Sequence, residues 1–267
     1  MTICIAAIGT EDKNEFIVFA TDHMVSMDMA EKGIWKFEHA IEKYKLINKQ
    51  TIAMVAGVPL FLDRLTKNLD DKKNFTDIYT EVYRNFLGVR EDLLNTNIFN
   101  IMGVNREFFI ERLKEETSNP IIEETWQKIL EFDLRTSVLL IGFIDSEAAI
   151  TEITDKGFYD YRQLNFHAIG SGAIQSQNTL LFQKHSKKDP LEVTIYDVYK
   201  AKRNAEVSEG VGKETDLGVL TKKGYYILPE TKLDSLKRIY EDELKYGRTH
   251  SDLKNLKLDS KLVSLVS

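Results

Sequence analysis

Thr2 stands directly behind Met1 in the opening stretch MTICIAAIG. Methionine is ordinarily removed when the second residue is small, and Thr2 would then carry a free α-amine beside its own hydroxyl. An amine so placed can serve as base for the hydroxyl, one recognised way to activate a threonine nucleophile. Such a nucleophile needs partners. A nearby cation lowers the proton affinity of the amine and favours the alkoxide. A carboxylate must hold that cation, and a backbone N–H must meet the developing oxyanion. Lys43, Asp22 and Gly57 are the candidates, Gly57 because a glycine lets its backbone approach a substrate closely. Each has a plainer reading: Asp22 as a strand-end turn former, Lys43 as a solvated edge lysine, Gly57 as a helix-entry glycine. Ser171, in AIGSG, reads as a helix cap. Their joint order and spacing favour the catalytic set.

The elements that must position these residues follow from the apolar patterning. Residues 2–9 and 16–22 are apolar, β-branched runs around a polar turn at 10–15, a hairpin signature that ends in Asp22. After a mixed stretch at 24–42, two further strands are expected at 44–47 and 51–56, the second closed by Gly57. These four runs are expected to form one antiparallel sheet. Phe61, Leu65 and Leu69, then Phe75, Ile78, Val82 and Phe86, recur at helical spacing, and Phe109 and Leu113 continue it. Ser118-Asn119-Pro120 is a helix start, with Ile122, Trp126, Ile129 and Leu130 as the expected buried stripe. Strands resume at 137–144, 148–153 and 166–169. A helix is expected at 173–184. A second begins at Asp189-Pro190, with Glu192 completing a capping box. A last hairpin spans 216–221 and 225–228, and a charged helical segment carries Leu233, Leu236, Ile239 and Leu244. Strands, helices, strands and helices in that order predict an α+β architecture in layers. No repeat or low-complexity linker divides the 267 residues, so one domain is expected.

Bulk composition narrows the function classes. A hydrophobic content of 43% supports a sizeable core, and the net charge of −6 argues against a polyanionic partner such as nucleic acid. The small basic clusters, Lys184 with Lys187 and Lys188 and Lys200 with Lys202 and Arg203, read as solvated helix faces. Cys4 is the one cysteine. It has no partner for a disulfide, no Cys/His spacing suggests zinc, and its apolar strand predicts a buried, inert thiol. The N-terminus lacks a basic n-region, so no signal peptide is expected. The longest apolar run, 138–144, falls far short of the roughly 20 residues of a membrane helix. A cytoplasmic protein is the expectation.

The motifs resemble those of one family, the N-terminal-nucleophile (Ntn) hydrolases of the proteasome β-subunit type, with their bacterial relatives HslV and Anbu. MTICIAA resembles a mature threonine start behind a removed Met, and FIVFATD the strand ending in the catalytic Asp. KYKLINKQTIAMVAG is similar to the segment from the catalytic Lys to the oxyanion Gly, with the same spacing from Lys43 to Gly57. AIGSG resembles the turn whose serine, here Ser171, helps orient the N-terminal amine, and AKRNAEVSEGVGKETDLGVL the late helix and following strand. The resemblance extends to about residue 228.

It implies a four-layer αββα sandwich and a threonine-type endopeptidase. Thr2, Asp22, Lys43 and Gly57 would carry the reaction, with Ser171 and Ser208 keeping the amine placed. Val25, Ile41, Val55 and Pro59 would line the pocket for the residue before the cut and favour apolar or aromatic side chains. No metal or cofactor is implied. A homo-oligomeric ring acting on polypeptides is implied, with neither nucleic acid nor membrane as partner; no ATPase partner can be read. An amidase acting on a small amide, or an inactive structural ring subunit, are the alternatives. Four departures stand out. The first hairpin turn is expected to be a few residues longer than is usual in the family. The family's Asp after the late helix is replaced by Ala205, with Glu206 beside it. A longer helical stretch at about 88–134 reads as an insertion, and 230–267 as a helical extension. No pro-peptide of the family's kind is expected, so Met removal alone would expose Thr2.

Overall fold

The computed structural model describes residues 2–28, 34–38, 41–69, 71–72, 74–103, 105–114, 119–247 and 259–266. Strands β1 (Ile3–Glu11) and β2 (Asn14–Asp22) form the first hairpin. They run closer together than the expected six-residue turn. Only Asp12 and Lys13 turn the chain, at φ 45° and 68°, the paired left-handed geometry whose twist matches that of a two-residue hairpin.

β1 and β2 lie in a five-stranded antiparallel sheet of order β10-β1-β2-β11-β12, completed by β10 (Phe166–Gly170), β11 (Thr215–Thr221) and β12 (Gly224–Ile227). A second sheet has the order β5-β6-β7-β8-β9, from Tyr44–Asn48, Thr51–Ala56, Ser137–Ile144, Glu147–Thr154 and Gly157–Asp160. The first four runs therefore divide between two sheets instead of making one. The reason is that β1 and β6 are apolar on both faces, so each must be covered on both sides. Cys4, Ala6, Ile8 and Phe19 meet Ile52, Met54, Leu139 and Ile141 in a buried cluster shared by the two sheets. A short ribbon, β3 (Met24–Asp28) with β4 (Ile34–Glu38), occupies part of the stretch that carried no clear pattern.

The alternate side chains face helices. Ile3, Ile5, Phe16 and Val18 pack with Leu180 of α6 (Ala173–Phe182), Ile195 and Val198 of α7 (Leu191–Ala205), Leu236 of α8 (Glu230–Tyr246) and Leu262 of α9 (Ser260–Val266). On the second sheet, Ala53, Val55, Val138 and Leu140 pack with Leu62 and Leu65 of α1 (Leu62–Leu65) and Ile78, Val82 and Phe86 of α2 (Phe75–Leu94). The chain beyond α2 continues through a π-type turn (Asn95–Phe99) and α3 (Asn100–Met102) to α4 (Arg106–Lys114) and α5 (Pro120–Glu131).

Several helix details differ from expectation. Asn119 caps α5, its side chain accepting the Ile121 N–H. Yet the expected stripe is only half covered, with Trp126 43% and Leu130 59% exposed. Ile122 and Ile129 pack on a small cluster of Leu94, Ile98, Phe99 and Phe109. That cluster is narrower than a sheet face. The capping box before α7 does not form. Asp189 Oδ2 instead accepts the Ser186 N–H at 2.7 Å, and Glu11 takes the Leu191 N–H at 3.0 Å, so β1 ties down the start of α7. In α8, Leu236 is buried while Leu244 is exposed; residues 248–258 of the expected extension lie outside the described residues. Among the described residues no helix is long and apolar enough to cross a membrane.

One glycine records how tightly α2 lies on the second sheet. A Cβ at Gly142 in β7 would stand 2.4 Å from a Phe75 ring carbon. Gly142→Ala is expected to destabilise the protein by about 1–3 kcal/mol. Urea denaturation should show a lower midpoint with an unchanged slope.

Candidate active site

Antiparallel pairing sets the geometry. Cys4 of β1 lies opposite Thr21 of β2, so the end of β2 brings Asp22 beside Thr2. Lys43 enters from the segment before β5, where Val55 of β6 donates its N–H to the Lys43 carbonyl at 2.8 Å. Thr2, Asp22 and Lys43 are all buried.

The three side chains bond to one another. The Thr2 hydroxyl donates to Asp22 Oδ1 and accepts from Lys43 Nζ. Lys43 Nζ also donates to Asp22 Oδ1 at 2.7 Å and to the Met24 carbonyl at 2.5 Å. Asp22 accepts three backbone N–H groups as well: Ile3 on Oδ1 at 3.0 Å, and Gly212 and Met24 on Oδ2 at 2.8 and 3.2 Å. An ammonium against Thr2 Oγ1 favours negative charge on that oxygen, and the carboxylate fixes the ammonium.

Two glycines shape the approach. Gly57, just after β6, has φ +110°, and a Cβ there would stand 2.2 Å from the Arg135 carbonyl oxygen. Gly170, at the end of β10, has φ +103°, and its Cβ would stand 2.3 Å from the Thr2 carbonyl oxygen. Only glycine fits either place. Beyond Gly170, Ser171 Oγ donates to the Thr2 carbonyl at 3.3 Å. Thr2, Gly57 and Ser171 share a cleft of about 480 Å³ with Ala56, Arg135, Thr136 and Glu152.

The remaining expected residues lie differently. Ser208 Oγ is buried without a hydrogen-bond partner and is not bonded to Thr2. Val25, Ile41, Val55 and Pro59 do not line the cleft beside Thr2. Val55 is buried in the cluster between the second sheet and α2, Val25 is also buried, and Ile41 and Pro59 are half-buried. Met1 lies outside the described residues.

Lys202 corrects the reading of the basic cluster on α7 as a solvated face, because it is fully buried. Its Nζ donates to Glu206 at 2.7 Å and to the Gly212 and Lys213 carbonyls at 2.9 and 2.6 Å. Burial lowers its pKa against the opposing pull of Glu206. Glu206, beside Ala205, also accepts from Arg203 at 2.9 Å. Lys202 thus pins the loop whose Gly212 N–H holds Asp22. Its position was readable. Ile195, Val198, Lys202 and Ala205 share one helix face by their spacing, and a lysine on such a stripe has to find buried acceptors.

The Cys4 thiol donates to the Val55 carbonyl at 3.3 Å, and burial drives its pKa far up despite the opposing charge of Lys43. Arg135 and Glu152 give the cleft charge of both signs. Glu152 is held by His167 at 2.8 Å and Tyr161 at 3.3 Å. Burial, with Glu152 next, pushes the Tyr161 pKa up to about 12. No protein-family model matches the chain, and no curated protein matches it.

Two outcomes follow from this burial. Lys43→Met leaves a carboxylate buried without its cation and should cost about 3–5 kcal/mol. Part of that cost should return in the Lys43→Met/Asp22→Asn double variant, read by a denaturation cycle. Cys4 should resist thiol reagents at pH 8 in the native protein and react once the chain is unfolded.

Proposed function

We propose that the protein is a threonine endopeptidase of the Ntn-hydrolase type, built on a four-layer αββα sandwich. The observation that carries this reading is the mutual bonding of Thr2, Asp22 and Lys43, all buried, at the very start of the first strand. The sandwich is supported by three buried clusters, one between the sheets and one under the helices on each outer face.

In the proposed reaction, Met removal frees the Thr2 amine. Thr2 Oγ attacks the peptide carbonyl, and its proton passes to that amine. Lys43 steadies the forming alkoxide, Asp22 steadies Lys43, and the Gly57 amide meets the oxyanion. The C–N bond then breaks, the departing amine takes the proton, and water hydrolyses the ester left on Thr2. Ser171 keeps the first residue placed through its bond to the Thr2 carbonyl. The unpartnered Ser208 hydroxyl serves the freed amine. A preference for an apolar or aromatic side chain before the cut is carried by the resemblance of the motifs, since Val25, Ile41, Val55 and Pro59 do not line the cleft beside Thr2. No metal or cofactor enters these steps.

The proposal extends to a cytoplasmic homo-oligomeric ring acting on polypeptides. Exposed apolar side chains on the outer helices, among them Phe108, Leu113 and Trp126, supply contact area for further copies.

Intact-mass measurement of the natively expressed protein tests the first requirement. Loss of Met1 is expected; retained Met1 overturns the mechanism and favours a structural subunit. Thr2→Ala should abolish both hydrolysis of unfolded polypeptides and covalent capture by threonine-directed electrophiles, with assembly unchanged. In a peptide library, best cleavage after acidic or basic residues would overturn the pocket assignment, and turnover of small acyl amides alone would favour an amidase.

A further inference from the structure

A second cluster lies at the far end of β1, about 20 Å from Thr2 at the usual rise of an extended strand. α6 ends at Phe182, and Lys184, at φ +57°, turns the chain so that His185 folds back against the sheet. The His185 side chain is fully enclosed. His185 Nε2 contacts the Ile8 carbonyl oxygen at 3.0 Å. A carbonyl only accepts, so Nε2 carries the hydrogen. Nδ1 then points at two carboxylates, Asp189 Oδ2 at 3.4 Å and Asp197 Oδ2 at 3.8 Å, and is buried without a hydrogen bond.

A lone pair facing two carboxylates is repulsive unless a cation stands between them. A proton on Nδ1 would be the simplest cation, but a charged imidazole draws its carboxylate close. Among the described residues, the other His–carboxylate pairs, His23–Asp216 and His167–Glu152, close to 2.8 Å. His185 stands off from both of its carboxylates. Its distances suit two ligands sharing one ion, because metal bonds of about 2.1 Å in a tetrahedron set ligand atoms about 3.4 Å apart. The three ligand atoms all lie within 4.8 Å of one another.

We propose that His185, Asp189 and Asp197 form a structural binding site for a divalent transition-metal ion. One imidazole nitrogen and two carboxylate oxygens suit an ion of the zinc type, and the two carboxylate charges match its charge. The Nε2–H bond to Ile8 is the outer contact that fixes the tautomer of a metal-binding histidine. Asp189, with 27% of its side chain exposed, gives the ion a way in from solvent. The bound ion ties the end of α6 to α7 and, through His185, to β1. The site is independent of the chemistry at Thr2.

The test uses the full-length protein, stripped with a chelator and titrated with Co2+ and then Zn2+. One saturable equivalent per chain, a visible Co2+ ligand-field spectrum lost on adding Zn2+, and a higher melting temperature with Zn2+ are expected. Asp189→Asn and Asp197→Asn should each weaken binding at least about tenfold, and His185→Gln should abolish the spectrum. Should His185→Gln fail to fold, the partly exposed Asp189→Asn carries the same test. The absence of a saturable equivalent, as a protonated His185 would give, overturns the proposal. So does binding that survives the aspartate substitutions.

Discussion

The Lys43–Asp22 ion pair is the constraint that the rest of the structure must satisfy. Both side chains are fully enclosed, and removing such charges from water costs several kcal/mol per ion unless every donor and acceptor is met. Here they are met. The three ammonium donors go to Thr2, Asp22 and the Met24 carbonyl. The carboxylate gathers its partners from three places: the start of β1, the residue opening β3, and the loop after α7. Thr2 is held by being one of those partners. Its position is therefore a product of charge compensation as much as of strand pairing.

The second layer of that compensation comes from α7. Gly212 can donate to Asp22 only while its loop is held, and buried Lys202 holds it through two carbonyls and Glu206. A lowered Lys202 pKa is the physical trace of burying that ammonium. The glycines work in the same direction. Gly57 and Gly170 take backbone angles that other residues rarely adopt, and both lie where β6 and β10 approach the start of β1.

Much of this was legible in the sequence because strands announce themselves by composition. β1, β2, β6 and β7 came from apolar runs, and Asp22, Lys43 and Gly57 from their positions at the ends of such runs. What was not legible had specific causes. Which strands share a sheet depends on contacts distant in sequence, and both-sided apolar strands carry no alternation to decide it. β9 and the β3–β4 ribbon are short and half polar, so no period stood out. Trp126 and Leu130 looked buried because helical spacing reports an apolar face, not what lies opposite it. Lys202 has the charge of a surface residue, but its place on an apolar stripe is the better guide to its burial. The proposed metal ligands fall outside Cys/His spacing rules, since two are aspartates and the third lies in a turn.

The bond from Gly212 to Asp22 joins residues 190 positions apart. Thr2, Asp22 and Lys43 all emerge within the first sixth of the chain, yet the second carboxylate oxygen has only its longer bond from Met24 until β11 and the loop before it have docked on β2. Contacts of such long sequence separation form late, because the intervening chain must first give up its freedom. A nascent or truncated chain consequently holds all three side chains but not their finished arrangement. The arrangement around Thr2 is thus finished by the last part of the sheet to be made, not by the segment that carries its three side chains.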